Sequence, residues 1–84
     1  MDRTTLIRLL KDGMHYPTGK HRFLVQRCFE ITVHPNRMIE VDEYEGYATA
    51  ANQANDYFHV GRSVVSLKNG EVTEEPGRGW PSSR

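Results

Sequence analysis

The chain has 84 residues, of which 37% are hydrophobic and 26% are charged, and its formal net charge is zero. These values are typical of one small folded domain and exclude a disordered chain. The single cysteine, Cys28, excludes an intramolecular disulfide, and no stretch approaches the roughly 20 apolar residues that span a bilayer. Since no secretory signal is visible, we expect a cytoplasmic protein with no membrane contact.

The first half of the chain shows a helical period followed by a strand period. Leucine and isoleucine side chains at helical spacing predict a short helix over about residues 3–12. A turn is predicted near residues 17–19. The period then changes to two, which predicts a strand through residues 29–33, a turn at 34–37 and a further strand at 39–41.

The second half contains the clearest helical pattern and the clearest hairpin signal. Apolar residues fall at i, i+3, i+4, i+7, i+10 and i+11, which predicts a second helix that begins near Thr49 and ends at Gly61. The members of this stripe are Tyr47, Ala50, Ala51, Ala54, Tyr57 and Phe58. Strands are predicted at 64–67 and 72–73, joined by a type I′ turn at Asn69-Gly70.

The predicted order is therefore α-β-β-α-β-β. The simplest way to bury these apolar faces is an α+β fold, in which a mostly antiparallel sheet carries two helices on one face. We predict a single domain over residues 1–75. The segment 76–84 is rich in proline, glycine and serine and is predicted to be a flexible tail.

The charges are unevenly distributed along the chain. Residues 1–37 carry seven basic and three acidic side chains, whereas residues 38–84 carry four basic and eight acidic ones. Two interpretations stay open: the asymmetry marks an electrostatic binding surface, or the two halves fold together and neutralise each other through ion pairs.

No residue pattern predicts a metal, cofactor or nucleophile site. The four histidines do not share a helix at ligand spacing, and no Cys-x-x-Cys pair accompanies them. They are His15, His21, His34 and His59. Cys28 lies within a strand pattern and is predicted to pack as a small side chain rather than to react as a thiolate. An enzyme is therefore not the favoured interpretation.

Residues 19–22 place His21 between the cations Lys20 and Arg22. Such a histidine could act as a general acid or base on RNA while the cations hold phosphate, although a solvated basic loop has the same pattern. Three segments resemble the opening of HicA-type toxins: TLIRLLKDG over 5–13, GKH over 19–21 and ITVHP over 31–35. These toxins are small ribonucleases with a double-stranded-RNA-binding fold. The resemblance covers about the first 36 residues, has Lys20 where the toxins have serine, and implies that His21 is catalytic.

An acidic run, Glu-Val-Asp-Glu-Tyr-Glu, occupies residues 40–45. On a strand, Glu40, Asp42 and Tyr44 would share one face. This face is either the solvent side of an edge strand, where charges discourage aggregation, or a surface that presents carboxylates to a basic, nucleic-acid-binding protein. Small inhibitors encoded by phages and other mobile elements, anti-CRISPR proteins among them, resemble this chain in size and build.

Trp80 is the remaining candidate, either as an exposed binding residue or as a cover for the core. The leading hypothesis is a non-enzymatic protein-interaction module, of which a phage- or mobile-element-encoded inhibitor is one form, and the alternative is RNA binding or cleavage. A homodimer through an exposed edge strand stays open. The predicted partner-binding residues are Glu40, Asp42, Glu43, Glu45 and Trp80. The alternative nucleic-acid-binding residues are Lys20, His21, Arg22, Arg27 and Arg37.

Overall fold

A computed structural model describes residues 2–22, 29–46 and 57–79. Its elements are α1 (Arg3–Lys11), β1 (Gly19–Arg22), β2 (Phe29–Val33), β3 (Met38–Gly46), β4 (Tyr57–Ser66) and β5 (Val72–Gly79). The five strands form one antiparallel sheet in the order β1-β2-β3-β4-β5, so that each strand pairs with its neighbours in sequence. We call the end of the sheet that carries the 34–37 turn and the 67–70 turn the turn end.

The single helix of the described residues begins and ends as its sequence predicts. The Asp2 side chain accepts a hydrogen bond from the Thr5 backbone N–H at 2.8 Å, and this bond holds the pKa of the Asp2 carboxyl below its ordinary value. At the other end Gly13 adopts a φ of 118°, which glycine tolerates at little cost. The helix buries Leu6, Ile7 and Leu10.

The core lies between α1 and one face of the sheet, which we call the first face. Alternate side chains of β2, β3 and β4 point toward the helix because successive residues of a strand face opposite sides. The buried core consists of Leu6, Ile7, Leu10, Phe29, Ile31, Ile39, Val41 and Val65. The apolar residues predicted for the strands at 29–33 and 39–41 are therefore the ones that pack on the helix.

The predicted α+β fold with two helices on one face is wrong, because the described residues are mostly β and contain one short helix. Tyr57 and Phe58, predicted to close the second helix, lie in β4. Gly61, predicted to end that helix, pairs with Glu43 inside the sheet. The remaining predicted helical residues, 47–56, lie outside the described residues. Aromatic and β-branched side chains favour strands, and pairing with β3 outweighs the helical spacing at residues 57–60.

The hairpin between β4 and β5 is confirmed, although its turn differs from the predicted type. A type I′ turn would place both central residues at positive φ, but here Gly70 has a φ of 78° and Asn69 does not share it. Gly70 N–H donates to the Ser66 carbonyl oxygen at 2.8 Å and closes a longer turn. Strand β5 continues to Gly79 and so includes residues 76–79 of the predicted tail, while residues 80–84 lie outside the described part.

No helix of the described residues is long and apolar enough to span a bilayer.

Candidate functional site

The acidic run on β3 is divided between the two faces of the sheet. Ile39, Val41 and Glu43 point toward α1, whereas the residues between them point to the opposite side, which we call the second face. The second-face residues of β3 are Met38, Glu40, Asp42 and Tyr44. The four carboxylates of the run therefore do not form one continuous acidic surface.

Asp42 lies at the centre of a hydrogen-bonded group on the second face. Its side chain is 2% exposed, and its Oδ1 atom is 2.8 Å from His59 Nε2 and accepts a bond from Arg62 Nε, also at 2.8 Å. The bond to Asp42 holds the pKa of the Arg62 guanidinium above its ordinary value. We call Asp42, His59 and Arg62 the polar cluster. A buried carboxylate with two donors is satisfied by them and unavailable to a partner.

The hydrogen bonds of His59 fix its tautomer. The Arg78 backbone N–H donates to His59 Nδ1 at 2.9 Å, so this nitrogen carries no proton. The Nε2 atom therefore carries the proton and donates it to Asp42. Because both ring nitrogens are occupied and the residue is 3% exposed, His59 has no free nitrogen for proton transfer to a substrate.

A β-bulge gives His59 its backbone donor. The β4–β5 register shifts between His59 and Gly61, where Gly77 and Arg78 of β5 both lie opposite Val60, so β5 carries the extra residue. Gly77 lies against this bulge, where an added Cβ would come within 2.3 Å of the carbonyl oxygens of His59 and Val60. Only glycine permits this approach, and the approach brings the next residue, Arg78, to the imidazole. Bulges commonly redirect groups in this way.

Two further residues extend the polar cluster across the second face. Glu30 is 6% exposed and forms a salt bridge with Arg22 of the neighbouring strand. The Tyr44 ring meets the His59 ring edge-on, with centroids 5.1 Å apart. Burial, followed by the charges of Glu30 and Asp42, raises the pKa of the Tyr44 hydroxyl. These charges are used within the fold.

The first face neutralises its own carboxylates. Arg3 of α1 lies 3.3 Å from Glu43 and 3.3 Å from Glu74. The guanidinium lies over Gly61, where a Cβ would meet it at 2.6 Å. The Ser63 hydroxyl donates to the Glu74 carboxylate at 2.8 Å, and Ser63 is fully buried. Ser63 is therefore a structural donor and not an accessible nucleophile.

The structure separates the predicted partner-binding residues. Glu40 lies on the second face beside His34, with His34 Nε2 3.4 Å from Glu40 Oε2. Asp42 is buried in the polar cluster, Glu43 faces α1, and Glu45 is exposed near the end of β3. Trp80 lies outside the described residues. Glu45 is exposed, while Glu40 and Glu43 are both half-buried and each lies beside one basic side chain.

The alternative basic residues are also separated. Lys20 and Arg22 lie on the second face of β1, while His21 points to the first face. His21 Nε2 is 2.7 Å from the Pro17 carbonyl oxygen, which can only accept, so this nitrogen donates to it. Arg37 lies in the turn between β2 and β3, and Arg27 lies outside the described residues. His21 is thus not flanked by cations on one surface, and its catalytic role stays a prediction.

A shallow groove lies on the second face at the turn end. Its floor is apolar, and the contacting side chains of His34 and Glu40 form part of its rim. The residues that line it are His34, Pro35, Asn36, Met38, Glu40 and Val64. Among the described residues, no three His, Cys, Asp or Glu side chains are placed to hold a metal ion.

Sequence reasoning missed Arg3, His59 and Arg62 as partners of the acidic run. The pairing of Asp42 with Arg62 is a register contact between β3 and β4. The helical interpretation of residues 57–60 removed that register from consideration. Comparisons of the chain with protein-family models, with curated proteins and with solved structures found no match.

Proposed function

We propose that the chain is a small non-enzymatic module that binds another protein through the groove at the turn end of the second face. The observation that carries this proposal is an apolar floor, made by Pro35, Met38 and Val64, beside the carboxylate of Glu40. Protein-binding surfaces commonly combine an apolar centre with a polar rim.

The edges of the sheet are poorly suited to the same task. Within the described residues β1 spans Gly19–Arg22, and short edge strands discourage pairing. Just before β5, the Ser66 N–H of β4 donates to the Glu71 carbonyl oxygen. Because paired and unpaired positions alternate along an antiparallel ladder, every second residue of β5 from Val72 onward directs its backbone groups away from β4. The backbone groups of Pro76 therefore point to the outer edge, where proline has no N–H to offer an incoming strand. These features favour a face of the sheet over an edge, both for a partner and for a second copy.

The groove also indicates the chemistry of the partner. An apolar side chain of the partner would cover Val64 and Met38. A neighbouring lysine or arginine of the partner would contact Glu40, whose carboxylate also contacts His34. The cation fits because the Glu40 carboxylate is only half-buried and keeps room for a second donor. If this partner is a nucleic-acid-binding enzyme, binding would make the chain an inhibitor.

The test compares two identical charge reversals on one strand. Glu40→Lys places a cation at the rim of the groove, whereas Glu45→Lys makes the same change at an exposed position outside it. Wild type and both variants are immobilised, incubated with the native lysate, and compared by quantitative mass spectrometry after their folding is verified by thermal unfolding. We expect Glu40→Lys to reduce retention of the wild-type partner by about tenfold or more, which corresponds to about 1.4 kcal/mol.

A second matched pair tests the floor of the groove. Val64→Thr replaces a methyl group in the groove with a hydroxyl, and Val72→Thr makes the same change on β5, outside the groove. We expect only Val64→Thr to weaken retention. Equal retention by both members of either pair, or no specific retention by wild type, contradicts the proposal.

A further inference from the structure

The described cations fall into two groups that differ in their partners. Arg3, Arg22 and Arg62 each contact a carboxylate within 4 Å. The other described cations form no salt bridge with any carboxylate of the described residues, and Lys11 and Arg37 at the turn end are two of these six: Arg8, Lys11, Lys20, Arg37, Lys68 and Arg78. The fold therefore uses the first group internally and leaves the second available to an anion.

Three segments converge where Lys11 and Arg37 lie: the end of α1, the 34–37 turn and the 67–70 turn. They enclose a small cleft with an apolar base and two cations at its sides. Its lining residues are Leu10, Lys11, Gly13, Arg37, Leu67 and Gly70. Because the lining comes from three separate segments, the fold and not one local sequence brings Lys11 and Arg37 together.

Arg37 occupies its position at a conformational cost. Its φ of 65° lies in the left-handed region, and among the described residues other than glycine it alone has a positive φ. The Leu67 N–H donates to the Arg37 carbonyl oxygen at 2.9 Å, a bond that any residue at position 37 could accept. The guanidinium contact with the Leu67 carbonyl oxygen is long, at 3.5 Å. Stability alone would favour glycine here, so the arginine side chain points to another role.

The local charge favours an anion. Four cations lie on the three segments or one helical turn away, against three carboxylates, one of which already pairs with Arg3. The cations are Arg8, Lys11, Arg37 and Lys68, and the carboxylates are Asp12, Glu71 and the Arg3-bound Glu74. The Glu71 carboxylate lies within 3.5 Å of the Asn69 amide nitrogen, which donates to it. Arginine and lysine are the side chains that most often bind phosphate oxygens.

We infer that the cleft between Lys11 and Arg37 binds a phosphate group. The guanidinium would hold two oxygens, and the Lys11 ammonium would neutralise the remaining charge. This site is separate from the proposed protein-binding groove, since their lining residues do not overlap. An experiment can therefore contradict the phosphate site without contradicting the protein-binding groove, and the reverse also holds.

The experiment is a titration of the isotope-labelled full chain with sodium phosphate, followed by amide NMR shifts, beside a sodium chloride titration at matched ionic strength. Phosphate is expected to produce saturable shifts at Gly13, Arg37 and Gly70 that chloride does not reproduce. Arg37→Gly keeps the backbone conformation and is expected to weaken binding about tenfold, as the loss of a charged hydrogen bond implies. Arg37→Lys, which keeps the charge, should retain part of the affinity, and Lys20→Gln on β1 serves as the matched control.

A second arm replaces phosphate with a short single-stranded RNA. Tighter binding of RNA with shifts at the same residues would identify the phosphate as that of a nucleic acid, and binding of inorganic phosphate alone would identify a small ligand. Non-saturable shifts, shifts equal to those with chloride, or unchanged affinity in Arg37→Gly would overturn the inference.

Discussion

Charged side chains at the centre of the sheet and at its turn end differ in whether they have partners within the fold. Around Asp42, the carboxylate and the His59 imidazole are buried, and His59, Arg62 Nε and the Arg78 N–H each take part in a hydrogen bond. At the turn end, Lys11 and Arg37 border a cleft without a carboxylate partner among the described residues. A charged side chain on a small domain can thus complete the fold or remain for a ligand, and its sequence position does not reveal which.

The difference also explains the charge asymmetry of the chain. Arg3 of the basic first half neutralises Glu43 and Glu74 of the acidic second half, whereas the Arg22–Glu30 pair lies within the first half. Of the two interpretations that the sequence left open, internal neutralisation accounts for the Arg3 pairs. Among the described cations that form no salt bridge with a described carboxylate, Lys11 and Arg37 lie at the turn end, whereas Arg78 lies beside His59. Binding by the acidic strand as a whole is therefore replaced in our proposal by binding at Glu40 and its groove.

The largest expected effect comes from removing the acceptor of the polar cluster. Asp42→Ala leaves the buried Nε2–H of His59 and the Arg62 guanidinium without their carboxylate, and we expect a loss of about 3 kcal/mol in the free energy of unfolding. Urea unfolding measures this loss. Glu45→Ala on the same strand is the control and should change stability by less than about 0.5 kcal/mol. Comparable losses for the two variants would mean that the polar cluster does not stabilise the sheet.

The next effect tests the bulge. In Gly77→Ala the new methyl group overlaps the carbonyl oxygens of His59 and Val60, so β5 must move away from β4. We expect a loss of about 2 kcal/mol, as for overpacked sites, together with loss of protection of the Arg78 amide in hydrogen exchange. An unchanged Arg78 amide would show that the approach of Gly77 does not position this donor.

Arg37→Gly should act in the opposite direction from the first two variants. The substitution removes the backbone strain of an arginine in the left-handed region. Glycine also makes the unfolded chain more flexible, which offsets part of this gain, and we expect the free energy of unfolding to rise by about 0.5 kcal/mol. The same variant is expected to lose phosphate binding. A clear loss of stability would mean that the Arg37 side chain has a structural role, which would weaken the contrast between the two regions.

The smallest effect concerns Tyr44 at alkaline pH. Since burial and nearby carboxylates raise its pKa in the folded state, the unfolded chain loses this proton first as the pH rises past about 10. The contribution of Tyr44 is therefore complete below that pH and is lost as the pH rises through the folded-state pKa. Tyr44→Phe should flatten the alkaline decline of stability. An unchanged decline would indicate that another group causes it.

The part of the fold that the sequence predicts is the part determined locally. The helix α1 is predicted by Leu6, Ile7 and Leu10, and the hairpin is predicted by the Asn69-Gly70 pair. Each of these elements is determined by residues that are close together in the sequence. Strand β4 is different. Tyr57 and Phe58 continue the helical spacing of residues 47–54 and also suit a strand, so the choice depends on pairing with β3. No local sequence pattern predicts that pairing.

The candidate site follows the same rule. Glu40 is identified by its place in the acidic run, but its neighbours Pro35, Met38 and Val64 come together only through the turn and the β3–β4 register. The His59–Asp42 contact needs the same register and the bulge in addition. Residues that act through long-range pairing are therefore the ones that sequence reasoning missed.

The most direct test of the claim that β3 uses its buried charge internally is the tautomer of His59. A long-range proton–nitrogen NMR spectrum of the imidazole, recorded on wild type near neutral pH, shows which ring nitrogen carries the proton. We predict a proton on Nε2, none on Nδ1, and a protected Arg78 amide. A proton on Nδ1, or an imidazole whose protons exchange freely with solvent, would contradict the account, because His59 would then be free to act on a ligand.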